Sequence, residues 1–124
     1  MLPPDFESVK GFLDPDEARA LMRLARERAE AGPIVEIGSY CGKSTLCLGF
    51  AAQRAGGTVF ALDHHRGSEE NQPGWSYFDP DLWDEAAGAL DTLPEFRRNI
   101  RRAGLEETVI ALVGRSARIA AHWT

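Results

Sequence analysis

Ile34-Val35-Glu36-Ile37-Gly38-Ser39-Tyr40-Cys41-Gly42-Lys43-Ser44-Thr45-Leu46 is the stretch from which the rest of the chain can be read. The apolar run Ile34 to Ile37 predicts a short buried strand, and Gly38 and Gly42 bracket a turn. A helix starts near Lys43 and continues to about Ala55, where Gly56-Gly57 closes it. This arrangement puts backbone N–H groups at the carboxyl end of a parallel strand, the place where nucleotide-like ligands bind. One step outward, Thr58 to Leu62 is a continuous apolar run that suits a strand covered on both faces. It ends in Asp63, a carboxylate placed to hold a ribose. The pair points to a nucleotide-type cofactor.

Further out on the N-terminal side, Asp14 is a natural helix cap, Pro15 suits the first helical position and Glu17 stands three residues after the cap. Ala18, Leu21, Met22, Ala25 and Ala29 recur at helical spacing until Gly32-Pro33 ends the run. This helix is read as scaffold, a cover across the sheet. On the C-terminal side, residues 64 to 80 read as a long loop with a turn at Asn71-Gln72-Pro73-Gly74. A short helix is expected near Leu82 to Leu90, and Pro94 opens another through Ala103, stopped by Gly104. Val109 to Val113 is the third long strand, and Ser116 suits the cap of a last helical turn through His122. The alternation β-α-β-α-β after a leading helix predicts one parallel sheet built by right-handed crossovers.

Composition narrows the classes. The 124 residues suffice for one compact domain, and 44% hydrophobic with 27% charged residues is ordinary for a folded globular chain. A net charge of −5 argues against nucleic acid as a partner. Arg97, Arg98, Arg101 and Arg102 form a local basic cluster, read as a solvated helix face. The N-terminus lacks the charged and apolar regions of a signal peptide, and no stretch is long enough to span a membrane. Cys41 and Cys47 are too few for a disulfide framework and are not spaced as a redox pair. The expectation is a reduced, cytoplasmic protein.

The turn itself has rivals. A dinucleotide-binding Gly-x-Gly-x-x-Gly would need glycines where Tyr40 and Lys43 stand. A phosphate-binding P-loop would need one more residue between Gly38 and Gly42, although Lys43-Ser44 would suit an anion. An acid facing the loop, Glu36, repels a triphosphate yet attracts an ammonium. Lys43 and Ser44, at the helix start, suit a carboxylate. One loop then serves both ends of an amino-acid zwitterion.

Glu36-Ile37-Gly38-Ser39-Tyr40-Cys41-Gly42-Lys43-Ser44 resembles the first motif of small O-methyltransferases of the catechol type, within the class I S-adenosylmethionine-dependent methyltransferases. Asp63-His64-His65-Arg66-Gly67-Ser68-Glu69-Glu70-Asn71 and Phe96-Arg97-Arg98-Asn99-Ile100 with Gly104-Leu105 are similar to bacterial members of that class. The resemblance spans roughly residues 14 to 122. It implies an α/β, Rossmann-like parallel sheet that is partial, with strand order 3-2-1. It also implies S-adenosyl-L-methionine as cofactor and a small-molecule methyl acceptor, with oxygen the favoured atom. The cofactor would be held by Glu36, Gly38, Ser39, Tyr40, Gly42, Lys43, Ser44, Asp63, His64 and Ser116, with Asp63 on the two ribose hydroxyls. Asp63 as a simple turn acid, and Ser116 as a plain helix cap rather than an adenine contact, stay open.

Asp63-His64-His65 also invites a metal reading, but adjacent histidines on an extended segment point to opposite sides, so no metal site is expected. His64 is expected near the cofactor base, and His65 with Arg66 to fix the following loop. Trp75, Tyr77, Phe78 and Trp83 either pack a folded-back loop or line an acceptor site. Such methyltransferases carry a fourth strand beside the first, and this sequence stops at Thr124 before one. The chain is therefore read as the N-terminal, cofactor-binding portion of a larger methyltransferase domain, with the catalytic residues unassigned. Its first strand would be an open apolar edge, inviting a homodimer or other pairing. A non-catalytic interaction module of the same fold and a P-loop-like nucleotide binder remain as alternatives.

Overall fold

The computed structural model describes residues 1–124. In chain order, α1 (Pro15–Arg28), β1 (Ile34–Ile37), α2 (Lys43–Arg54) and β2 (Val59–Asp63) come first. A two-stranded hairpin, β3 (Trp83–Asp84) and β4 (Ala89–Leu90), then precedes α3 (Leu93–Arg102), β5 (Val109–Val113) and α4 (Ser116–Ala120).

Asp14 starts α1 by a reciprocal cap. Its Oδ1 accepts the N–H groups of Asp16 at 2.8 Å and Glu17 at 2.9 Å, while Glu17 Oε1 accepts the N–H of Asp14 at 3.2 Å. These satisfy donors that the helix itself leaves free. The apolar stripe Ala18, Met22 and Ala25 is buried. α1 packs mainly against α2, and its Ala25 joins the core that also holds residues of the sheet.

The three long strands form one parallel sheet in the order β1-β2-β5, which is the expected order of third, second, first. Register runs Ile34↔Val59↔Val109 on one face and Val35↔Phe60↔Ile110 on the other. Ala25 of α1, Leu48 and Ala52 of α2, and Phe96 of α3 share one core with Val59 and Val109. All three helices therefore lie on one side of the sheet, as successive right-handed crossovers in one direction require. Gly49 makes the closeness possible: a Cβ there would stand 2.9 Å from Leu105 and 3.0 Å from Val109.

The opposite face is open. Val35, Ile37 and Ile110 are 45%, 69% and 44% exposed, and Trp123 meets Phe60 edge-on with ring centres 5.5 Å apart. β1 is an edge strand, as expected, and Val35 and Ile37 on it point to this open face.

Two expectations are corrected. Leu82 ends a single 3-10 turn, Pro80–Leu82, and residues 83 to 90 form no helix: Asp84 Oδ1 accepts the N–H groups of Ala86 and Ala87 at 3.0 and 3.3 Å, and Gly88 takes φ 63°. The side-chain acceptor and the glycine stabilise a tight turn over the helical preference of Glu85-Ala86-Ala87. Ser116 is the first residue of α4 rather than its cap; the cap position is Arg115, and no side chain bonds there.

Candidate functional site

At the carboxyl end of β1 and β2 lies a two-lobed cleft. The larger lobe, about 510 Å³, is bordered by Phe12, Gly38, Tyr40, Asp63, His64, Ser68, Asn71 and Tyr77. The smaller, about 250 Å³, lies over the start of α2 and is bordered by Lys10, Leu13, Glu17, Ser39, Lys43 and Ser44. Phe12, Gly38 and Tyr40 belong to both lobes and form the waist.

The turn is built by its glycines. Gly38 takes φ 87°, and no other atom lies within 4 Å of where its Cβ would be. Its backbone is thus open to whatever occupies the cleft. Gly42 takes φ 95°, caps α2, and has Phe96 3.2 Å from its notional Cβ. Ser39 is buried between them. Leu46 N–H to Gly42 C=O, at 2.8 Å, is the first bond of the helix. The amides of Lys43, Ser44 and Thr45 precede it, the place where a helix offers partial positive charge.

Asp63 stands at the wall of the larger lobe. Its Oδ2 accepts the N–H of Tyr40 at 2.7 Å and its Oδ1 accepts the N–H of His65 at 2.9 Å. A carboxylate has about four acceptor positions, so each oxygen keeps capacity for another donor. His64 is exposed on the same lobe, its Nδ1 accepting the N–H of Arg66 at 2.9 Å. Arg66 in turn donates to Leu90 C=O at 3.0 Å, and His65 is buried against Thr92, so these residues fix the loop as expected.

Other expected residues are placed differently. Glu36 borders neither lobe; it accepts from Ser44 Oγ at 2.5 Å and from the Thr45 hydroxyl, joining β1 to the first turn of α2. Burial pushes its carboxyl above the usual range, partly offset by these hydroxyls. It ties the turn to the start of α2. The Lys43 ammonium donates to Val9 C=O at 3.1 Å and lies 4.5 Å from the centre of the Phe6 ring. The charge is thus directed to the N-terminal segment, although the residue itself borders the smaller lobe. Ser116 is exposed and borders neither lobe, although Gly114, two residues earlier, donates its N–H to Asp63 C=O at 3.0 Å.

Sequence reasoning missed the N-terminal strap, residues 9 to 13. Phe12 reaches over the cleft, 4.9 Å from the Tyr77 ring and 5.8 Å from the Tyr40 ring. Lys10 clasps the loop opposite, with Nζ 2.5 Å from Asp79 and 3.3 Å from Asp81. That pairing raises the Lys10 pKa and lowers that of Asp79. A lone large apolar residue ahead of a capped helix was the only available signal. Of the four loop aromatics, Tyr77 borders the cleft, Phe78 and Trp83 pack over Cys41, Leu82 and Leu90, and Trp75 is exposed. Burial pushes the thiols of Cys41 and Cys47 up to about 12 and about 11, so both stay protonated and unreactive at neutral pH. No cluster of side chains suits a metal ion.

A parallel sheet with an acid-ended second strand, a glycine elbow and a cleft above both defines a Rossmann-like cofactor domain. Residues 35–124 match the family described as "Methyltransferase domain", and the chain belongs to that family. Its fold is similar to three solved structures. The O-methyltransferase TomG from Streptomyces achromogenes, involved in tomaymycin synthesis and crystallised with SAM, is 21% identical (TM-score 0.60; 90% of this chain, 38% of that one). The SAH-bound Podospora anserina methyltransferase PaMTH1 is 15% identical (TM-score 0.61; 98% and 40%). A methyltransferase from Geobacter sulfurreducens is 21% identical (TM-score 0.59; 90% and 45%). The chain therefore spans about two-fifths of the length of these relatives. No helix is long and apolar enough to cross a membrane.

Proposed function

We propose that the cleft binds S-adenosyl-L-methionine and that the chain is the N-terminal, cofactor-binding part of a methyltransferase acting on a small molecule, with oxygen the favoured acceptor atom. The observation that carries this is Asp63: its carboxylate is held by two backbone N–H groups at the wall of a lobe that adjoins a second lobe over the start of α2. One lobe suits a sugar diol and the other an amino-acid tail. Phe12, Gly38 and Tyr40 at the waist touch the bond between them. TomG and PaMTH1, of like fold, are crystallised with SAM and SAH.

The residues divide the work. Asp63 accepts from the ribose hydroxyls and His64 lies beside the base. Gly38, Ser39, Tyr40 and Gly42 shape the turn, and the amides of Lys43 and Ser44 receive the carboxylate. Glu36 holds the turn to the helix and adds a negative potential that favours the ammonium. The bound cofactor supplies an electrophilic methyl on a sulfonium. What the chain contributes is position and exclusion of water, through the aromatic rim. The open edge of β1 and the bare face of Val35, Ile37 and Ile110 are completed by further residues of the same domain, or by a second copy.

Isothermal titration with S-adenosylhomocysteine tests this. Binding at one site per chain is expected, and absence of binding by well-folded chain would overturn it. Thermal stabilisation by ATP with magnesium, without any by S-adenosylhomocysteine, would favour the P-loop-like alternative instead.

A further inference from the structure

Only three residues other than glycine have positive φ: Asp5 at 65°, Tyr40 at 50° and His65 at 62°. Tyr40 and His65 are the two that donate their backbone N–H groups to Asp63. A left-handed backbone at such residues persists only where the surroundings hold it. At Tyr40 the turn is closed by the Gly42 N–H to Ser39 C=O bond at 2.9 Å and tied to Asp63. At His65 the holding is by the side chain. The residue is 2% exposed, its Nδ1 is 2.7 Å from Thr92 Oγ1, and its ring centre is 5.2 Å from that of Phe96. The His65 carbonyl also accepts the N–H of Thr92 at 3.0 Å, so ring and backbone are both latched to the residue that leads into α3. Nε2, on the far side of the ring, is buried with no partner. An apolar side chain of similar size would avoid that cost. What the imidazole adds is the latch to Thr92.

We propose that His65 is a positioning residue: latched to Thr92 and packed on Phe96, it holds the left-handed turn that aims its N–H at Asp63, and so fixes that carboxylate for the sugar hydroxyls. The inference rests on the cofactor reading above. His65 does not border the cleft, and it acts through Asp63.

The test compares the unaltered chain with His65→Leu, His65→Asn and Thr92→Val by calorimetric titration. The probes are S-adenosylhomocysteine, adenosine and 2′,3′-dideoxyadenosine. Leucine fills the space but resists positive φ, whereas asparagine enters that region readily and offers Thr92 a polar partner. His65→Leu is expected to weaken S-adenosylhomocysteine about tenfold and to abolish the preference for adenosine over its dideoxy analogue. His65→Asn is expected to restore most of both. Should His65→Leu fail to fold, Thr92→Val, which cuts the latch and keeps the ring, is expected to show the same loss of preference. An unchanged preference in a folded Leu or Val variant would overturn the inference. No binding of S-adenosylhomocysteine to the unaltered chain would overturn the cofactor reading on which it rests.

Discussion

Asp63 Oδ2 accepts the Tyr40 N–H at 2.7 Å, which ties the end of β2 to the turn after β1. On the proposed reading, the residue that holds the sugar is thereby tied to the elbow that holds the rest of the same molecule.

Replacing Asp63 with alanine is expected to weaken S-adenosylhomocysteine by at least tenfold. Hydrogen bonds to a charged group are worth about 1.5–3 kcal/mol each, and tenfold is about 1.4 kcal/mol. Calorimetric titration of the folded variant measures this; an affinity within a factor of two of the parent would remove Asp63 from the site.

Glu36 gives a pH signature. Its carboxyl is held above its ordinary value of 4.5 by burial, so between that value and its raised one the folded chain binds the proton that the unfolded chain has released. Stability is then lost as pH rises through that interval. Glu36→Gln has no proton to lose there, and its melting temperature is expected to gain on the parent's between pH 4 and neutrality. Thermal melts of both chains across that range decide it; parallel curves would contradict the assignment.

The cap of α1 is separable from function. Asp14→Ala removes both acceptor contacts at the helix start and is expected to cost about 1 kcal/mol, lowering the melting temperature by about 4 °C. Asp14→Ser, which can still cap, is expected to melt within a degree or so of the parent. Circular-dichroism melts provide the comparison.

The Lys10 clasp acts on the strap. A half-exposed ion pair contributes at most about 1 kcal/mol to folding, so Lys10→Met is expected to leave the melting temperature nearly unchanged. Freeing the strap that carries Phe12 is expected to speed the release of S-adenosylhomocysteine several-fold, read by stopped-flow fluorescence. Equal release rates would show that the strap does not cover the ligand.

Most of the frame was legible because its signals are local. Asp14 with Glu17 marks a helix start by side-chain reach alone, and Gly38 and Gly42 mark a turn because other residues resist the φ values of 87° and 95° found there. The apolar runs at 34, 59 and 109 marked strands, right-handed crossovers placed them in one parallel sheet, and the family resemblance implied their order. The hairpin at residues 83 to 90 was missed because Glu85-Ala86-Ala87 favours a helix in isolation. Leu90 is nevertheless buried with Leu82 and Cys41, and the Asp84 turn brings it there.

By itself, then, the sequence determined the strand–elbow–helix, the acid at the end of the second strand and the alternation of strands with helices. These depend on backbone preferences and periodicity within a few residues. Only the tertiary structure decided where the side chains of Glu36, Lys43 and Ser116 go, and that Phe12 and Tyr77 meet above the cleft. Lys43 turns to Val9 and Phe6, residues more than thirty positions away in the chain. A long side chain takes its direction from the partners that folding brings beside it, and no local pattern encodes them.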